Sequence, residues 1–91
     1  MNEFYYRVGD DSMTGDRLYP GDYVLVQEAD TYQIRDICAI ARVSDISQLD
    51  FRRVERKGGV YKLVPSNPAF SEEDREAVFI VGRVAHTYIN M

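Results

Sequence analysis

The apolar positions of this chain come in short bursts separated by turn-forming residues, and the spacing inside the bursts is that of extended strands. Phe4-Tyr5-Tyr6-Arg7-Val8 is aromatic and β-branched and stops at Gly9, which predicts a strand running into a turn. Pro20-Gly21 fixes one backbone angle and frees the next, so a turn is expected there, with Tyr23-Val24-Leu25-Val26-Gln27 as the strand beyond it. Ile37-Cys38-Ala39-Ile40-Ala41-Arg42-Val43 is almost continuously apolar, as a strand covered on both faces would be, and is expected at the centre of a sheet.

From Leu49 to Arg56 and from Val60 to Val64 two further strands flank Lys57-Gly58-Gly59, a glycine-containing hairpin. Pro65-Ser66-Asn67-Pro68 forbids regular structure. Ser71 followed by Glu72, Glu73 and Asp74 predicts a helix start capped by the serine, one or two turns long. Val78 to Tyr88 alternates loosely around Gly82, which suggests a closing strand with a bulge or bend. No repeat or low-complexity linker divides the chain. The sum is one compact all-β domain over residues 1–91, coiled or barrel-like, with at most one short helix.

Composition narrows the setting. Ninety-one residues bury a smaller share of their surface than an average domain, which favours leaning on a partner or a second copy. The 45% hydrophobic and 29% charged fractions are those of a folded domain. A formal charge of -4 lacks the positive field that drives phosphate-backbone binding, so any DNA contact has to come from elsewhere. Cys38 is the single cysteine, which excludes an internal disulfide and a cysteine-based zinc site and fits a reducing compartment. No apolar run approaches the roughly 20 residues needed to span a bilayer, and the start of the chain has no signal-peptide pattern. A cytoplasmic protein without membrane contact is expected, and no cofactor or metal is called for.

Candidate chemistry begins at Ser12, followed by Met13 just beyond the first strand. The run Arg7-Val8-Gly9-Asp10-Asp11-Ser12-Met13 resembles the Ser-Met box of LexA-type repressor C-terminal domains, the self-cleaving serine-lysine peptidases of phage repressors and the SOS response. The resemblance continues through Pro20-Gly21-Asp22, Asp36-Ile37 with Ala41-Arg42-Val43, Lys62-Leu63-Val64-Pro65-Ser66-Asn67-Pro68 and Val81-Gly82-Arg83-Val84. Several blocks in the same order are specific where Ser-Met alone is not. The resemblance implies that Ser12 holds the nucleophile position and that its general base is a lysine on a later strand, just before the hairpin.

A serine needs such a base to take its proton, and a lysine serves only if burial lowers its pKa from about 10.4 toward neutrality. In Leu49-Asp50-Phe51-Arg52-Arg53-Val54 the position matching the lysine is Arg52. An arginine, whose pKa lies far above the physiological range, stays protonated and cannot serve as that base. The expectation is an impaired site in which Arg52 donates hydrogen bonds to Ser12 or Asp11. The alternative is an active serine-lysine peptidase with a relocated base, related to the repressors or to UmuD-type polymerase accessory proteins: Arg53 has the same defect, Lys57 belongs to the turn, and Lys62 would have to point inward.

The resemblance also implies a scissile small-residue dipeptide, commonly Ala-Gly, upstream of the serine, and a preceding helix-turn-helix domain. Eleven residues precede Ser12 and Ala-Gly occurs nowhere. The chain is thus expected to be part of a longer regulator that binds DNA through a domain outside it, a processed product being a second possibility and a free-standing module competing for repressor dimers a third. A homodimer through the C-terminal strand, Val84 to Ile89, is implied in the same way.

Plainer readings stand beside these. Ser12 could be a turn serine capping the next segment, and adjacent Asp10 and Asp11, which could be taken for an acid-base pair or metal ligands, are in a turn more often solvated. Asp22 is expected to bond turn amides. The basic run Arg52, Arg53, Arg56 and Lys57 is interrupted by Glu55 and fits a solvated strand pair. His86 has no evident partner, and Cys38 reads as a small core hydrophobe. The seven tyrosines suit either a core edge or an association surface.

Overall fold

The structure is a computed structural model that describes residues 2–45 and 47–88. These residues form one antiparallel sheet of seven strands: β1 (Glu3–Arg7), β2 (Tyr23–Glu28), β3 (Cys38–Ala41), β4 (Leu49–Lys57), β5 (Val60–Val64), β6 (Glu73–Arg75) and β7 (Phe79–Tyr88). Their spatial order is β1-β2-β7-β3-β4-β5-β6, so the chain's last strand is inserted between its second and third. A single 3-10 turn, Thr14–Asp16, is the helical element among the described residues. The all-β class read from the sequence holds, and no helix is long and apolar enough to cross a membrane.

The near-continuous apolar run forms β3, the middle strand, shortened to Cys38–Ala41 because the ladder ends where Arg42 and Val43 emerge into solvent. All four of its residues are buried, and alternate side chains serve two clusters. Ala39 joins Val8, Met13, Leu18, Val24, Val26 and Phe51 on one side. Cys38 and Ile40 join Val54 and Leu63 on the other. A strand that supplies both cores can carry few polar side chains, which is why it reads as a solid apolar stretch.

β4 is longer than its neighbour and changes partner along its length. Leu49 to Arg52 pair with β3, whereas Arg53 to Lys57 pair with β5. The changeover falls between Arg52 and Arg53, and there the sheet coils from one ladder into the next. Gly58 and Gly59, with φ of 56° and 82°, make the hairpin that returns β4 into β5, a pair of left-handed positions that glycine occupies without a Cβ penalty.

The helix expected from Ser71 is absent. Glu73–Arg75 instead forms β6, whose residues lie opposite Leu63, Lys62 and Tyr61 of β5. The acidic run was too short to offset the cost of nucleating a helix, while the open edge of β5 offered ready-made ladder partners. Local capping preference lost to tertiary pairing.

The irregularity expected near Gly82 is present as two register shifts along β7. Val81 is skipped between the Ala39–Gly82 and Ile40–Ile80 pairs, and Ala85 is skipped between Val26–Val84 and Leu25–His86. Each extra residue bends the strand and increases its twist. At Gly82 the backbone of β2 comes so close that a Cβ would collide with the Gln27 carbonyl group. Replacing Gly82 with Ala should therefore destabilise the domain by roughly 1–3 kcal/mol, the range for overpacking a site that must shift backbone. A lower urea midpoint with an unchanged slope is the expected reading.

Candidate functional site

Ser12 lies in the turn between β1 and the 3-10 segment, and the fold fixes that turn from three directions. At its base, Val8 N–H donates to Asp22 O and Gly21 N–H to Val8 O, both at 2.8 Å, so the Pro20-Gly21 turn grips the end of β1. Beneath it, Met13 is buried in the core at 1% exposure. Above it, the Ser66 and Asn67 amides both donate to Ser12 O at 3.0 Å, and Asn67 Nδ2 donates to Asp11 O at 3.0 Å. The irregular Pro65-Ser66-Asn67-Pro68 segment leaves those amides outside any ladder and free to hold the serine turn.

The Ser12 side chain is as buried as its neighbour, the residue being 1% exposed. Arg52, forty residues later on β4, reaches it: Nη1–H donates to Ser12 Oγ at 2.6 Å and to the Phe51 carbonyl at 2.8 Å. The guanidinium carbon lies 5.9 Å from the centre of the Phe70 ring, and the residue is only 8% exposed. The hydroxyl in turn donates to Asp10 Oδ1 at 2.6 Å, and the Ser12 amide donates to the same oxygen at 3.0 Å. Ser12 Oγ is thus a bridge, accepting from a cation and donating to an anion.

Burial pushes the Asp10 carboxyl upward, but the two Ser12 hydrogen bonds and the charges of Arg52 and Arg42 outweigh it and hold the group below the ordinary carboxylate range. A carboxylate so held is a weak base. The hydroxyl is held by charge-assisted hydrogen bonds on both sides, from the Arg52 guanidinium and to the Asp10 carboxylate.

The structure brings Ser12 and Arg52 together and leaves the remaining basic candidates elsewhere. Arg53 donates through Nη1 to Asp16 Oδ2 in the 3-10 turn. The two lysines of the chain are Lys57, exposed at the end of β4, and Lys62, whose Nζ is 3.8 Å from Glu72 Oε1. Arg56 lies over the Tyr61 ring, 4.9 Å from its centre, so the basic run does not present one face. Asp22 Oδ2 accepts from the Tyr19 amide at 3.0 Å, a turn-capping bond. Cys38 is fully buried, and desolvation, with Asp36 adding to it, pushes its thiol up to about 12. Among the described residues no group of three or more His, Cys, Asp or Glu side chains could hold a metal. His86 contributes its backbone to β7 opposite Leu25, and its side chain lies outside the described residues.

Asp10 is the site residue that sequence reasoning passed over as a turn carboxylate. The available signal was its place two residues before a serine, the spacing at which an Asp side chain caps the following amide. Asn67 likewise fell in a segment recognised for its prolines rather than for its donors.

This arrangement, a serine turn clamped between β1, β4 and a Pro-Ser-Asn-Pro segment on an all-β scaffold, defines a peptidase-like domain. The chain belongs to the Peptidase S24-like family, whose profile matches residues 1–85. LexA repressor 2 of Pseudomonas putida is 33% identical over 73 residues, which is 79% of this chain and 34% of that protein. The domain is thus LexA-like, and the chain spans about a third of the length of the curated relative it matches.

One charge pair at the site sets an acid dependence. The hydrogen bond from Arg53 holds the Asp16 carboxyl below its ordinary value, with partial burial working the other way. A carboxylate with a depressed folded-state pKa stabilises the fold above its unfolded value of about 3.9, and that contribution disappears as pH falls through the folded value. Asp16→Asn should accordingly flatten the loss of stability as pH falls below about 4, measured as urea midpoints at successively lower pH.

Proposed function

We propose that this chain is the regulatory and dimerisation domain of a phage-type or mobile-element transcriptional repressor, with a peptidase-like site that no longer cleaves. The observation that carries the reading is the Arg52 guanidinium 2.6 Å from Ser12 Oγ. In this proposal Ser12 occupies the nucleophile position and Arg52 the position of the family's lysine. A lysine there could shed its proton on burial and become a base, whereas a guanidinium remains charged and donates only. The arginine preserves the cation and its hydrogen bond to the serine, so the shape of the site is retained without its acid-base function. Neither Lys57 nor Lys62 offers a replacement, one being exposed and the other facing Glu72.

The proposal assigns DNA binding to a helix-turn-helix domain outside residues 1–91, consistent with the acidic charge of this chain and with the repressor name of its relative. It places the protein in the cytoplasm. It assigns self-association to the end of β7, within the stretch from Val84 to Ile89, of which Ile89 lies outside the described residues. The support is that β3 pairs with β7 only as far as Arg83, with one further bond from the Val84 amide to the Ile37 carbonyl, while β2 continues to Tyr88, so that beyond Val84 β7 has a ladder neighbour on one side only among the described residues.

The intact gene product, incubated at alkaline pH and followed by mass spectrometry, should show no fragment that depends on Ser12. Loss of the general base is expected to leave cleavage at least about 100-fold slower than in a lysine-bearing relative. Self-cleavage at a comparable rate, abolished by Ser12→Ala, would contradict the proposal. Sedimentation of the 10.5 kDa chain should give twice that mass at micromolar concentration, and a monomer throughout would remove the dimerisation role.

A further inference from the structure

We infer that Asp10 is a second block on the Ser12 site, separate from Arg52: its carboxylate holds the serine proton and would keep an amine placed at position 52 charged. The inference rests on the reading of Ser12 and Arg52 as a former nucleophile and base position.

The geometry gives two reasons. The single hydroxyl proton of Ser12 is directed at Asp10 Oδ1 over 2.6 Å, and the carboxylate is anchored by the Ser12 amide at 3.0 Å, so it cannot swing aside without losing both bonds. A base at position 52 would first have to draw the hydroxyl out of a charge-assisted hydrogen bond, the stronger kind. Because Asp10 Oδ1 and Arg52 Nη1 both bond the same oxygen, they lie within about 5 Å of each other, close enough for opposite charges to hold one another ionised. Burial of a lysine at position 52 would lower its pKa, and the Asp10 charge would raise it again.

Among the described residues the other cations nearby are already paired with carboxylates of their own. Asp10 and Asp11 come from the serine turn itself. Arg42, beyond the end of β3, acts on Asp10 but is engaged by Asp50 through two donors at 2.9 and 3.0 Å. Arg53 is engaged by Asp16, and the Phe70 ring against Arg52 is uncharged. Restoring lysine alone therefore restores a cation, not a base.

The test compares R52K with D10N/R52K in the whole chain, each in a K57R/K62R background so that the introduced amine is the one lysine signal. Two readouts are taken: the NMR titration of that amine, and the rate at which Ser12 is labelled by diisopropyl fluorophosphate, located by mass spectrometry. In D10N/R52K the amine should titrate at least about one pH unit lower than in R52K. Ser12 labelling at pH 8 should be about tenfold faster or more, since the proton is no longer held by a charged acceptor. Asp10→Ser, which keeps an acceptor for the Ser12 amide, replaces Asp10→Asn if the latter loosens the turn. Equal titration in the two variants, or R52K labelling as fast as the double variant, overturns the inference. A lowered titration with Ser12 still unlabelled leaves the electrostatic half standing and overturns the reading of Ser12 as a nucleophile position, so the two failures are separable.

Discussion

A guanidinium withdrawn from water has to be surrounded by acceptors, and the placement of Arg52 makes the rest of this arrangement necessary. The residue is 8% exposed, at the point where β4 leaves β3 for β5, and its Nη1 donates both to Ser12 Oγ and to the Phe51 carbonyl. Its charge is answered through the serine by Asp10. Cation, hydroxyl and carboxylate form a chain in which each member would be costly to bury without the next, and together they bind the first turn of the sequence to a strand forty residues away.

That chain is one of three attachments on the same turn. The others are the Pro20-Gly21 grip on Val8 and the two amides from Ser66 and Asn67 on the Ser12 carbonyl. Backbone bonds therefore set where the serine sits, and side-chain bonds set what its oxygen can do. The serine is thus placed by contacts that do not involve its own hydroxyl, and its position does not depend on which side chain meets that oxygen.

Much of the architecture was readable from the chain because it rests on local pattern. The solid apolar run gave the middle strand, the paired glycines gave the hairpin, and the ordered blocks of resemblance connected Ser12 with Arg52. What escaped depended on contacts distant in sequence. The segment after Ser71 carried helix-start residues, yet the edge of β5 drew it into β6. Asp10 carried the signature of a solvated turn, and only the approach of Arg52 turned it into the half-buried end of a bridge through Ser12. The bulges at Val81 and Ala85 reflect β7 having to match two strands with different registers, a demand written in no single segment.

The short β6 has a consequence for the molecule in crowded solution. A sheet edge exposes unpaired backbone groups that invite another chain to extend it, and β5, with Val60 and Tyr61 beside half-buried Val64, would be an inviting one. The strand that covers it, Glu73-Asp74-Arg75, is three residues long and wholly charged, with Arg75 turned back onto Glu73. An approaching strand meets ionised side chains and little ladder to follow. The segment that failed to become a helix thereby leaves this end of the sheet a poor template for another strand.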